Sequence, residues 1–294
     1  MNLWRFFVSG GGFGGNMSVV ALMLGVTACY TITSIGDKYA VSVSGFSRDE
    51  FTFLMCSSMS VFLLLSLPFQ TLYFNVSWQS FAAIAAVTLC KFLEFQMCTL
   101  VLKQLTAFEL KAWLGVTLLA SYITDVCYGR EFSVIPLCCI AVTIIGLVFI
   151  AKSGKQNKVE YRKIIIPLIL YLAAKYGYGL VVKAFMPYVS ATFQLLPALV
   201  IISIIMLFRI HPGRLVQEKR KDVLTAVALR VPNTIGMLLE NAVISVSLSS
   251  YSFIQPMILV ALFVISLIRK EHCSVSSIIG SVLCVVGVIM FQLL

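Results

Sequence analysis

Lys152-Ser-Gly-Lys-Gln-Asn-Lys-Val-Glu-Tyr-Arg-Lys163 is the one extended hydrophilic stretch near the middle of a chain of 294 residues. What flanks it decides the fold. Hydrophobic residues make up 60% of the chain and charged residues only 12%, with a mean hydropathy of +0.99. Soluble domains carry about 25% charged residues. Apolar runs of ~20 residues, each able to cross ~30 Å of hydrocarbon, recur on both sides of the break. Before it they cover 17–36, 49–69, 78–102, 106–128 and 133–151; after it, 164–186, 190–210, 223–246, 248–268 and 274–294. An outer-membrane barrel would instead show short alternating segments. The expected fold class is an all-α membrane protein of about ten transmembrane helices, five on each side of a basic linker at 152–163.

Five segments on either side invite a search for a repeat. Gly36-Asp37-Lys38 closes the first segment, and Val181-Val182-Lys183 closes the sixth. Tyr128-Gly-Arg-Glu131 precedes the fifth segment, which holds Gly146; Ile268-Arg-Lys-Glu271 precedes the tenth, which holds Gly287. Leu89-Cys-Lys91 and Ala228-Leu-Arg230 occupy similar places in the third and eighth. The two lysines are then the same position in two copies of one unit, 17–151 and 164–294. A unit with an odd number of spans starts on one side and ends on the other, so the second copy is expected to be inverted. Such inverted repeats, with sites at the midplane, characterise many secondary transporters.

Other classes fit poorly. There is no dinucleotide fingerprint, phosphate loop or nucleophile elbow, and no cofactor is implied, so the chain is not expected to be an enzyme. The nine cysteines lie mostly inside apolar runs without metal-ligand spacing and read as buried structural thiols. The net charge of +10 does not point to nucleic acid, because membrane proteins gather Lys and Arg in their cytoplasmic loops. Residues 1–16, with Ser9-Gly-Gly-Gly-Phe-Gly-Gly-Asn16, read as a flexible leader or as sequence ahead of a start at Met17.

Glu131 and Glu271 before glycine-bearing final helices (Gly146, Gly287), with Pro256 early in the ninth segment, resemble the drug/metabolite transporter superfamily, in particular its EamA-like members built from two five-helix halves. The resemblance spans about 17–294. It departs in the first half, where Val116 stands near the proline's place and Glu109 and Lys111 sit just before. The resemblance implies a basket of ten helices that alternates access around a central cavity without ATP, with both termini inside. Charge argues otherwise: of the connections between segments, only the odd-numbered ones are basic, apart from Arg130. Taken literally, that puts both termini outside.

Charges inside apolar segments mark the candidate site. A central Lys, Arg or Asp costs ~2.5–3.5 kcal/mol on insertion scales and normally faces a cavity or a partner. Lys91 and Glu94 are three residues apart on one helix face and can pair, as a structural bridge or as part of a site. Arg230 and Glu240, ten apart, could stand at two levels of one pore. Lys38, Lys183 and Asp125 lie near segment ends, where snorkelling is the simpler reading. Tyr171, Lys175, Tyr178 and Gly179 recur at helical spacing, and Pro232-Asn233 predicts a kink beside Arg230. The substrate-binding candidates are Lys91, Lys111, Lys175, Tyr178, Arg230 and Tyr251; the coupling candidates are Glu94 and Glu240.

These cations outnumber the two carboxylates, which suggests a substrate with a carboxylate or phosphate. The expected function is secondary active transport of a small polar, anionic metabolite across a bacterial inner membrane, with lipid around it and room for a homodimer. A flippase for a lipid-linked sugar or other amphiphile is the alternative; a membrane scaffold or sensor finds no support, since the loops are short.

Overall fold

The computed structural model describes residues 13–42, 44–70, 72–105, 113–115, 117–129, 131–153, 161–211, 219–268 and 275–293, with Leu110, Gly213, Leu215 and Gln217 between them. These residues form an all-helical protein: α1 (Phe13–Ser42), α2 (Arg48–Ser66), α3 (Trp78–Gln104), α4 (Thr117–Cys127), α5 (Val134–Ser153), α6 (Tyr161–Phe185), α7 (Ala191–Leu207), α8 (Arg220–Ala228), α9 (Arg230–Val246), α10 (Leu248–Ile268) and α11 (Val275–Leu293). The α1 helix begins four residues ahead of the expected start at Met17. Pairing outside helices is confined, among the described residues, to one antiparallel bridge between Phe74 and Val189.

Helix boundaries follow local chemistry. Ser47 opens α2 with a capping box: its hydroxyl accepts from the Glu50 amide, and the Glu50 carboxylate accepts from the Ser47 amide. Ser77 caps α3 through the Ser80 amide. The predicted kink is a break at Leu229. Pro232 has no N–H for the carbonyl four residues back, and its ring crowds that carbonyl, so α8 ends at Ala228. Beside the break, the Arg230 Nε donates to the Ala226 carbonyl at 3.2 Å. Pro197, in contrast, is tolerated inside α7.

Among the described residues, six stretches are long and apolar enough to cross a membrane: Val19–Asp37, Arg48–Phe69, Trp78–Gln104, Ile164–Phe185, Arg220–Val246 and Leu248–Ile265. Four further apolar helices are shorter, Thr117–Cys127, Val134–Ile150, Ala191–Leu207 and Ile278–Phe291. The chain is thus a multi-pass helical membrane protein. Its outward faces carry Ile166, Ile204, Val282 and Ile289, about half exposed or more, as expected where the solvent is lipid.

Helices before the basic linker find their main partners after it. The most extensive contacts are α5 with α11, α3 with α6, α1 with α9, and α2 with α7; α4 packs on α10. The α5–α11 contact is made by small residues. A Cβ on Gly146 would stand 2.6 Å from the Gly280 carbonyl oxygen, and one on Gly280 equally close to that of Gly146. Gly287 in turn lies against Thr143 and the Cys139 carbonyl. Only glycine permits this backbone approach, a common device where packing rather than the hydrophobic effect joins helices.

The thiol expectation holds for Cys56, Cys139 and Cys284, which are buried, but Cys127 and Cys138 are exposed. Glu131 is exposed ahead of α5. Residues 1–12, Glu109, Lys111, Val116, Arg130 and Glu271 lie outside the described residues, as does the side chain of Lys38.

Candidate functional site

Four buried charges from three helices form a continuous ladder at the centre of the bundle. Lys91 and Glu94 sit midway along α3, and their pairing is as the spacing predicted: Lys91 Nζ donates to Glu94 Oε2 at 2.8 Å. Lys175 of α6 lies 3.5 Å from the other oxygen, Glu94 Oε1, and 2.9 Å from Glu240 Oε1 of α9. Glu240 Oε2 accepts from the Tyr30 hydroxyl of α1 at 2.5 Å. The order is Lys91–Glu94–Lys175–Glu240–Tyr30, with the two signs in balance.

Aromatic rings wall the ladder. Lys91 Nζ stands 3.7 Å from the centre of the Tyr178 ring, and Lys175 Nζ lies 5.6 and 5.7 Å from the rings of Tyr251 and Tyr30. Cations held over ring faces at this range gain electrostatic stabilisation that grows as water is excluded. The phenols are themselves anchored: Tyr178 donates to Asn241 Oδ1 at 2.7 Å, and Tyr251 to the Lys175 carbonyl at 3.0 Å. Gly179 makes room for the second, since a Cβ there would come within 2.7 Å of the Tyr251 ring.

A cavity of about 100 Å³ adjoins the ladder. One water needs roughly 10–15 Å³ on the same measure, so several waters or a small solute fit. Tyr30, Lys91, Glu94 and Lys175 line its inner end; Thr33, Ser34, Asp37, Asn233 and Gln255 add polar walls, and Phe51, Met55, Met59 and Met237 apolar ones. The lining runs up α1 from Tyr30 to Asp37 and along α3 to Leu102. It therefore extends from the middle toward the end of the bundle where α1 finishes and α2 starts. Glu240 is fully buried and stands outside that lining, whereas Glu94 keeps 8% exposure.

Two more ion pairs stand at opposite ends of α9. At its start, Arg230 is bonded through Nη2 to Asp37 of α1, while its Nη1 has no partner among the described residues. At its finish, Asp125 of α4 accepts from Lys183 Nζ of α6 at 2.6 Å, from the Ser247 hydroxyl, and from the amides of Leu248 and Ser249 that open α10. The rise of a helix puts these ends ~24 Å apart.

Of the expected site residues, the structure brings together Lys91, Glu94, Lys175, Tyr178, Glu240 and Tyr251. It sets Arg230 apart, about 15 Å along α9 from Glu240. Snorkelling does not describe Asp125 and Lys183: both turn inward, and Asp125 is 4% exposed. The expected surplus of core cations is not there among the described residues, because Lys91, Lys175 and Arg230 each have a carboxylate partner on their own or a neighbouring helix. Sequence reasoning missed Tyr30 and Asp37. Their spacing of seven, two helical turns, puts them on one face of α1, and that was the available signal.

No protein-family model matches the chain, and no curated protein matches it. The likeness to drug/metabolite transporters rests on Glu131, Gly146, Pro256, Glu271 and Gly287 alone.

Proposed function

We propose that the chain is a secondary active transporter for a small polar metabolite, working by alternating access between two inverted five-helix repeats. The observation that carries this reading is the polar cavity beside a balanced charge ladder, at mid-depth of a multi-pass helical bundle. Buried ionisable groups at that depth are costly and mark solute or ion pathways more often than scaffolds.

The packing supports the repeat. Exchange each of the first five segments for its counterpart in the last five, and the four most extensive helix contacts map onto themselves or one another, whereas the sizeable α1–α10 contact becomes the slight α4–α6 one. The pair α3–α6 becomes α9–α1, while α2–α7, α4–α10 and α5–α11 map onto themselves. Residue by residue, laying Gly146 over Gly287 also lays Cys139 over Gly280. The contact of Gly146 with Gly280 then becomes that of Gly287 with Cys139. Ten spans follow if the four shorter apolar helices also cross. The bacterial inner membrane and the family assignment rest on the resemblance only. A flippase would call for an apolar lateral groove, and a charged cavity end argues for a soluble polar cargo instead.

Purified protein in proteoliposomes, challenged with a panel of labelled organic acids, amino acids, sugars and nucleosides, tests the reading. Flux of at least one class that saturates with concentration is the expected result. Absence of flux for every class, from correctly folded protein, would discard it.

A further inference from the structure

A neutral cavity is a poor host for an anion, yet the ladder contains what is needed to make it a good one. We infer that Glu94 is a proton-binding site whose protonation releases Lys91 to bind a small monoanion, so that proton and anion are carried together. This rests on the transporter reading and adds to it a substrate class and a coupling ion.

The two carboxylates of the ladder are not equivalent. Glu240 is enclosed, with one oxygen on Lys175 and the other on Tyr30, and it stands away from the cavity. Glu94 lines the cavity, so water-borne protons reach it. Its two oxygens hold two different lysines. Protonation therefore has unequal consequences for them. Lys175 keeps Glu240 at 2.9 Å, the shorter of its two contacts. Lys91 loses its only carboxylate counter-charge among the described residues, keeps at most a bond to the neutral carboxyl group, and is left over the Tyr178 ring, facing the cavity.

The charge balance then decides the ligand. With Glu94 ionised, Lys91 and Lys175 offset Glu94 and Glu240, and a bound anion would add one uncompensated negative charge at low dielectric. With Glu94 protonated, the same four groups carry one surplus positive charge, on Lys91, and a monoanion restores neutrality. The proton comes from cavity water and forms the Glu94 O–H; Lys91 keeps its own proton throughout. Each ligand thus favours the other by the same factor, as linkage requires.

Neighbouring groups leave this balance in place. The α6 helix contributes Tyr171 and Tyr178 besides Lys175, α10 contributes Tyr251, and α2 contributes Cys56. Phenols and thiols of this kind stay neutral at the pH values that protonate a carboxylate. From α1 come Tyr30 and Asp37, the latter already matched by Arg230 of α9. Cys98 on α3 itself is a thiol at the cavity wall, and the sequence of α7 holds no titratable side chain.

Calorimetry with acetate as the probe anion, repeated in buffers of different ionisation enthalpy, tests this on the full chain in detergent. The wild type is expected to take up about one proton per acetate bound, and its affinity to fall about tenfold per pH unit above the Glu94 titration. Glu94→Gln, which mimics the protonated acid, should bind acetate without proton uptake and with little pH dependence, and Lys91→Gln should lose acetate binding. Acetate binding independent of pH in the wild type, no acetate binding at acid pH, or proton uptake retained in Glu94→Gln would each overturn the inference. Proteoliposome flux separates the two readings: flux without proton coupling spares the transporter and sinks the ladder mechanism, while proton-linked binding without any flux does the reverse.

Discussion

The two ends of α9 hold their charges in different ways. Asp125, at the finish, is saturated: the Lys183 ammonium, the Ser247 and Ser249 hydroxyls and the first two amides of α10 all donate to it. Asp37, at the start, lines the cavity and among the described residues has only Arg230 for a cation, whose Nη1 goes unused. Near the first end, the 72–77 and 186–190 loops are also laced together, through Asn75 and Tyr188, Ser190 and Tyr73. One end is tied shut by many interactions around a single carboxylate; the other has one buried ion pair beside open space, with the Lys219–Gly45 and Gln96–Asp49 bonds at its rim. A protein that alternates access must be able to break whichever end is closed. If the chain alternates access as proposed, the structure corresponds to a state entered from the Asp37 end.

The contrast can be broken most directly at its strong end. Asp125→Ala leaves a part-buried ammonium and two helix-opening amides without their acceptor. Removing one partner of a buried pair costs about 3–5 kcal/mol. Asp37→Ala strands the buried Arg230 guanidinium but no helix-opening amides, and Asp37 itself is partly exposed, so it should cost somewhat less, about 3 kcal/mol. Thermal or denaturant unfolding in detergent measures both; equal losses would abolish the distinction between the ends.

Accessibility gives a second, smaller contrast. Ser34→Cys places a thiol on the cavity wall, and Ser249→Cys places one in the sealed cluster. An impermeant thiol reagent offered from the α1–α2 connection side should modify the first at least about tenfold faster, about 1.4 kcal/mol in accessibility, after subtraction of the unsubstituted protein's own cysteines. A reversed ratio would mean that the cavity opens at the other end.

What the sequence disclosed and what it hid divide along one line. Composition and segment length are properties of single stretches, so the helical membrane class and most helix positions were readable. So was the Lys91–Glu94 pair, because both partners share one helix turn. The break before Arg230 was readable too, because Pro232 acts on its own chain. The other pairings join residues far apart in sequence: Lys175 with Glu240, Arg230 with Asp37, Lys183 with Asp125. No spacing rule connects them, and a cation without a same-helix partner was therefore counted as free. Asp125 and Lys183 were misread for a related reason. Position near a segment end suggests access to the interface, but the side chain's direction depends on which neighbour packs there.

The smallest effect is expected from Lys183→Met, and it is the sharpest test of why Asp125 is so well held. If the ammonium were what keeps this carboxylate ionised and buried, its loss would cost nearly as much as losing Asp125. The geometry argues for a minor role. Two hydroxyls and two amides remain on the carboxylate, and the amides belong to the start of α10, where the helix dipole favours negative charge. Methionine also replaces most of the lysine's apolar stem, so little packing is lost. The expected cost is about 1 kcal/mol, the size of one hydrogen bond exchanged for none. A loss close to that of Asp125→Ala would reassign the seal to the ion pair. The two ends of α9 would then differ in the number of their contacts but not in the kind of force that holds them.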